Sequence, residues 1–390
     1  MSNLKLLDRN MLDSTKVYFP NLNGLRFIAA FMVIIHHLEQ MLSIFGYDNY
    51  WDNKIIKSIG GLGVELFFVL SGFLITYLLL TEEGRTKKIS IRSFYIRRIL
   101  RIWPLYYFIV ILAFFILPKV TFLDIPRFNL SFQPNYGYSL LLFVLFLPNL
   151  LLNGNGIVVP YASQAWSVGV EEQFYLIWPL LMRFFKNKFT ILLSVIVIYM
   201  SIKIVGFRFI KHFLYWNNDL QIIRQFWSSF QIDCMAIGGL FSYLLFSNHK
   251  LLNFIFDKFV FGITLLLLFI FICFSVNLSF FSQEVFSILF GIVIVNLAAN
   301  KNGRLLLENR LFNYLGKISY GLYMYHVIAI VSCIQLFKYL DLLKYHMLLL
   351  YICVFLTIIL ASLSYQIIEK RFLKLKIKFS KVISGENANC

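Results

Sequence analysis

Charge is what this chain has least of. Only 14% of its 390 residues are Asp, Glu, Lys or Arg, while 59% are hydrophobic and 18% aromatic. A soluble core of that size could not hide so much apolar surface. Several apolar runs pass the length needed to cross a bilayer, so the chain reads as a polytopic membrane protein. Acids are scarcer than bases, 19 against 36, for a net charge of +17. In a soluble protein that balance would point to nucleic acid. Here the cations gather in particular loops, the pattern that encodes orientation, and no nucleic-acid partner follows. Disulfide and metal chemistry are also missing. Cys234, Cys273, Cys333 and Cys353 lie inside apolar stretches and Cys390 ends the chain. There is no CxxC pair and no metal-like spacing with histidine, so the cysteines read as packing residues. Neither a metal nor a bound cofactor is expected. The polar segment up to Lys16 has no apolar signal core or small-residue cleavage site, which leaves insertion to the first membrane helix.

Apolar stretches lie near 22–42, 60–80, 99–117, 138–152, 163–182, 189–207, 227–247, 259–277, 282–299, 318–337 and 347–368. If all of them spanned from an inside N-terminus, the basic tail of Lys370, Arg371, Lys374, Lys376, Lys378 and Lys381 would end outside, against the positive-inside rule. The weakest stretch is 138–152. It makes about 22 Å of helix against a hydrocarbon core of about 30 Å, and Pro148 interrupts it. With that stretch re-entrant or partial, about ten helices span and both termini are cytoplasmic. The clusters Arg85 to Arg101, Arg183 to Lys188, His249 to Lys258, Lys301 to Lys317 and the tail then all face inside. The expected organisation is a cytoplasmic N-terminal segment 1–16, one all-α membrane domain 17–373 without internal repeat, and a basic, mobile cytoplasmic tail 374–390.

Within the first span, NLNGLRFIAAFMVIIHHLEQML, stand Arg26 and His37. Ionisable residues in lipid must face a partner or a water-filled cavity. Their separation turns through about three turns plus 20° and rises about 16 Å, so they share one stripe at different depths, and His36 lies about 80° off it. The bland reading has Arg26 snorkelling to the interface and His37 bonding a neighbouring helix. The sharper one is a base held deep with a cation below it. Arg98 and Arg101, three apart, project to one helical face at the cytoplasmic mouth. Their planar, always charged groups suit the phosphates of a donor such as acyl-CoA, or simply anchor the helix at anionic lipid. Glu171 and Glu172 cannot share a face, so at most one meets the cavity; it either orients His37 or pairs with Arg26. Further candidates for lining a channel are Glu65, Ser71, Asp233, Tyr320 and His326, with interhelical hydrogen bonds or close packing as the ordinary alternative.

The runs GLRFIAAFMVIIHHL, GVELFFVLSGFLIT, RRILRIWPLYY, WSVGVEEQFYLIWP, IDCMAIGGL, LGKISYGLYMYH and SYQIIEKRF occur in that order across nearly the whole chain. Together they resemble the acyltransferase-3 family of membrane O-acyltransferases, in its stand-alone form, since no hydrolase-like domain follows the last span. The resemblance implies transfer of an acyl group, usually acetyl from acetyl-CoA, to a hydroxyl of an envelope carbohydrate such as lipopolysaccharide, exopolysaccharide or peptidoglycan. It also implies a location in the bacterial inner membrane. The family's Arg and His fall on Arg26 and His37, its RxxR on Arg98 and Arg101, and the acid of its WSxxxE on Glu171. Gln231, Glu65 and Arg371 depart from positions where relatives often carry Arg, Asp and Pro. In the implied mechanism Arg98 and Arg101 hold CoA while its arm passes Arg26. His37 takes the proton of the acceptor hydroxyl, and Arg26 either binds CoA or stabilises the oxyanion. Two other classes remain open on the sequence: a transporter of an anionic or lipid-linked substrate, and a structural or polymer-synthesising membrane protein.

Overall fold

The computed structural model describes residues 16–126, 133–154, 156–206, 218–276, 278–300 and 307–384. Lys301, Arg304, Cys390 and nearly all of the 1–16 segment lie outside these residues. The described chain is helical throughout apart from one two-residue pair. The helices are α1 (Leu22–Phe45), α2 (Lys54–Thr86), α3 (Ile91–Ile111, continued by tighter and wider turns to Lys119), α4 (Tyr136–Val144), α5 (Trp166–Phe184), α6 (Lys188–Ser201), α7 (Asn218–Phe230) and α8 (Ile232–Phe246). Then follow α9 (Leu251–Ile255), α10 (Lys258–Cys273), α11 (Ser282–Ala299), α12 (Arg310–Lys317), α13 (Ser319–Tyr339), α14 (His346–Ser364) and α15 (Lys370–Ile377).

Eight helical runs among the described residues are long and apolar enough to cross a membrane. The other two of the expected ten fall short of that measure. One is α10, apolar but only 16 residues long. The other is α5, 19 residues long and diluted by Glu171, Glu172 and Arg183. The stretch 138–152 does not span. Its helix α4 has nine residues, about 13 Å, and ends where Phe146 takes a positive φ of 57° ahead of Pro148. The hydroxyls of Tyr106 and Tyr107 donate to the carbonyls of Phe143 and Val144 at 2.8 and 3.0 Å, satisfying the orphan end of that helix.

The two ends of the described chain meet. Strand β1 (Lys16–Val17) pairs in parallel with β2 (Ile383–Ser384), Lys16 against Ile383. An even number of spans brings the two ends to one face of the bundle, and eleven would part them. The boundary expected at 373 falls inside α15, and the tail up to 384 folds back instead of leaving the domain.

Side-chain caps begin several helices: Asn53, Asn187, Asp257 and Asn309 each accept from a backbone N–H of the first turn. The pillar is α2, whose most apolar window is 78% buried, against 17% for the α6 run and 28% for the α14 run, which face lipid. It packs most extensively on α8 and on α1. A Cβ on Gly72 would lie 1.8 Å from the Met235 carbonyl oxygen, and one on Gly238 would lie 2.1 Å from that of Val69. This is the close approach that the small residues in the sequence predicted.

Candidate functional site

At the end of the bundle where β1 and β2 pair, α1, α2, α3, α5 and α13 enclose a cavity of about 140 Å³. Arg26, Ser71, Arg98, Arg101, Glu171, Tyr175, Tyr320 and Tyr323 line it. A second space of about 100 Å³ adjoins, sharing Arg26 and Arg101 and adding Asn23, Lys317 and Tyr365. Arg26 donates from Nη1 to the Asn23 side chain at 2.9 Å. The Arg98 guanidinium lies 5.6 Å from the ring centroids of both Phe94 and Tyr175, and its buried Nε has no acceptor. Neither Arg98 nor Arg101 has an ion-pair or hydrogen-bond partner among the described residues. Their neighbour Arg97 differs. About 100° round the helix, it bonds Glu82 Oε2 and the Phe379 carbonyl, both at 3.0 Å, and is part of the scaffold.

Glu171 faces this cavity and Glu172 does not. Glu171 accepts from Ser71 Oγ at 2.9 Å and from the Tyr175 hydroxyl at 3.1 Å, while those two hydroxyls lie 2.6 Å apart. Glu172 turns toward α3 and accepts from Trp103 Nε1 at 3.2 Å. Tyr175, four residues after Glu171, shares its helical face. Its role as bridge between Glu171, Ser71 and Arg98 needed the neighbouring helices.

His37 lines a different cavity, of about 160 Å³, with Gln40, Tyr161, Gln164 and Trp166 among its walls. The expectation that Arg26 and His37 share one cavity is therefore corrected. Between the two spaces stands Tyr323, whose hydroxyl meets Ser167 Oγ at 2.7 Å and the Gln164 carbonyl at 2.8 Å. Phe67 packs edge-on against its ring.

The partner that orients His37 is His326, not Glu171. His326 is fully buried, and its Nδ1 lies 2.6 Å from the Tyr323 carbonyl, which can only accept, so Nδ1 carries the hydrogen. Its Nε2 then offers a lone pair to His37 Nδ1, 3.2 Å away. His37 Nδ1 also lies 3.0 Å from the Val33 carbonyl, so it too carries a hydrogen. The network thus assigns the basic lone pair of His37 to Nε2. His36 instead bonds the Ile56 carbonyl at 2.9 Å and stacks edge-on with Trp51.

Glu65 and Asp233 line neither space. About 120° round α2 from Ser71, Glu65 faces α11 and accepts from Ser287 Oγ at 3.0 Å. Asp233 is fully buried on α8; among the described residues neither of its oxygens meets a donor, and its carboxyl lies beside that of Glu284. Nearby, Lys203 bonds Glu284 at 2.7 Å. These acids form a separate cluster among α2, α8 and α11, and the resemblance to channel liners came from residue type alone. Gln231 sits at the break between α7 and α8 with φ of 39°, its N–H donating to the Tyr199 hydroxyl at 3.2 Å. Among the described residues, no group of His, Cys, Asp and Glu is arranged to hold a metal ion.

A family model described as an acyltransferase domain matches residues 19–366. The O-acetyltransferase OatA of Staphylococcus aureus (strain NCTC 8325 / PS 47) is 30% identical over 209 residues, which cover 52% of this chain and 31% of OatA. The protein SACOL0978 of Staphylococcus aureus (strain COL), which bears a provisional O-acetyltransferase name, is 27% identical over 379 residues, 93% of this chain and 58% of its own. The chain thus spans well under two thirds of either relative's length. No solved structure matches the chain significantly.

Proposed function

The chain belongs to this acyltransferase family, and from that premise we propose that it is a membrane O-acetyltransferase. Its donor is cytoplasmic acyl-CoA and its acceptor a hydroxyl of a cell-envelope carbohydrate, reached across the bacterial cytoplasmic membrane. The names of both relatives support acetyl as the group transferred. The observation that carries the reading is the pair of spaces along α1: three arginines round one of them, Arg98 and Arg101 unpartnered among the described residues, and a tautomerically fixed histidine in the other, about 16 Å of helix rise from Arg26. A donor with anionic phosphates at one end and a reactive thioester at the end of a long arm fits that spacing.

Arg98, Arg101 and Arg26 bind the phosphates; the guanidinium groups of Arg98 and Arg101, without acceptors among the described residues, are completed by such an anion. The arm passes Tyr323 toward His37. Gln40, Gln164, Tyr161 and Trp166 offer the mixture of amide groups and aromatic faces that suits a sugar. His37 Nε2 removes the acceptor's hydroxyl proton as that oxygen attacks the thioester carbonyl carbon. The carbon–sulfur bond then breaks, and the thiolate of CoA leaves and takes a proton back from the imidazolium. His326 Nε2 accepts from His37 Nδ1 throughout, holding the ring in register. Arg26 is too far from His37 to serve the same oxyanion, which assigns it to the donor.

The test is transfer of label from [acetyl]-labelled acetyl-CoA to envelope glycan by membranes containing the protein. Label recovered as an O-acetyl ester, dependent on the protein, is the expected result. Movement of a glycan or anion across the membrane with no ester formed would replace the proposal with a transporter.

A further inference from the structure

Lys376 has no place in the scheme above, yet it is only 5% exposed. It belongs to α15, in the segment that the sequence presented as a solvated tail. The chain beyond it is tied down at several points. The Phe379 carbonyl accepts from Arg97 at 3.0 Å, Ser380 Oγ bonds the Lys376 carbonyl at 3.0 Å, Val382 is buried, and β2 pairs with β1. This folding back carries Lys376 into a small recess that it shares with Arg97 and Arg98. Arg98 also lines the arginine cavity, so recess and cavity meet on one side chain.

The surroundings of Lys376 are one-sided. Arg97 and Arg98 share its recess, and Arg101 and Arg26 stand near enough to repel it. Glu82, the carboxylate in the recess, is already engaged by Arg97. Lys376 itself has no ion pair or hydrogen bond from its ammonium among the described residues. Packing a lysine side chain against like charges is costly. A multiply charged anion removes that cost.

We propose that Lys376 is a further anion-binding residue of the donor site, a fourth cation beside Arg26, Arg98 and Arg101 that contacts the donor's phosphates. The proposal rests on the acyl-CoA reading. The folded-back segment is then one wall of that site.

The experiment measures binding of acetyl-CoA, and of S-acetylpantetheine, which has no phosphate, to the purified full chain. The proteins are wild type, Lys376→Met, Lys376→Arg and Arg98→Ala. A charge-assisted phosphate contact corresponds to a loss of about tenfold or more in acetyl-CoA affinity for Lys376→Met, with Lys376→Arg close to wild type and S-acetylpantetheine binding unchanged. Without ligand, Lys376→Met should melt no lower than wild type, because an uncompensated charge has been removed. Acetyl-CoA binding weakened by Arg98→Ala but untouched by Lys376→Met overturns the role of Lys376 and leaves the donor reading intact. Tighter binding in Lys376→Met overturns it too, and makes the segment a plug. A lower melting temperature with equal loss for both probes assigns Lys376 to packing. A wild-type chain that does not bind acetyl-CoA removes the donor reading and this proposal together.

Discussion

Helix α2 stands between two polar interiors built from similar residues. On its α1 side, Arg26, Arg98 and Arg101 surround open volume, with one carboxylate, Glu171, and otherwise hydroxyls and apolar or aromatic side chains as their company. On its α8 side, Glu65, Asp233, Glu284 and Lys203 lie in an interface that Gly72 and Gly238 draw to backbone contact. Both sides hold ionisable groups that lipid would reject. Only the first combines an excess of one sign with room for something to neutralise it. In the second, Lys203 answers Glu284 and Ser287 answers Glu65 across a tight helix interface. Buried charge thus marks a binding site when it comes with volume and without partners, and otherwise marks how helices recognise one another.

That distinction is broken most severely from the far end of the α1 side. His37→Ala should lower transfer by about 10²- to 10⁴-fold, the usual contribution of a positioned general base, while acetyl-CoA still binds. His36→Ala should keep most activity, since its ring is held by Ile56 and Trp51 on another face. His326 acts through His37. An Asn side-chain oxygen can accept from Nδ1, so His326→Asn should retain more turnover than His326→Phe, with donor affinity equal in both. An active His37→Ala protein, or one inactive only because it no longer binds donor, contradicts the assignment of the base.

How far the sequence went differs between the two sides for physical reasons. Helical spacing placed Arg98 with Arg101 and separated Glu171 from Glu172, because residues on one helix obey a fixed angle per residue. Span counting with the positive-inside rule found the partial stretch 138–152, since length and charge are local properties. The pairing of His326 with His37 and the return of Lys376 over the arginines join residues far apart in sequence, and no periodicity encodes such contacts. Glu65 and Asp233 misled for the same reason. An acid in an apolar run looks alike whether it lines a cavity or meets a serine across an interface.

A smaller effect sharpens the arginine side itself. Arg98→Ala should weaken acetyl-CoA binding about tenfold or more, as expected for a lost charge-assisted contact, and insertion into the membrane should be unaffected. Arg98→Lys should recover little of it, because an ammonium cannot reproduce the planar fork or the stacking between Phe94 and Tyr175. If lysine restores binding fully, Arg98 is a generic cation at the membrane surface and the cavity takes no phosphate through it.

The smallest effect belongs to the α8 side. Asp233 sits where three acids face one lysine, with both of its oxygens unpartnered. Replacing its carboxyl with the isosteric amide preserves volume in a tight interface and relieves the crowding of two carboxyls, since an amide can donate to Glu284. Asp233→Asn should therefore change acetyl-CoA affinity and turnover by no more than about twofold, and its melting temperature should hold or rise. Removing the other sign has the opposite consequence: Lys203→Met leaves Glu284 buried beside Asp233 without a cation and should lower the melting temperature while donor affinity in the surviving folded protein stays near wild type. Donor affinity and melting temperature measured in parallel on both variants make the contrast testable. A large loss of transfer in Asp233→Asn at unchanged stability would mean that the acid cluster takes part in the chemistry and that the two sides of α2 work as one site.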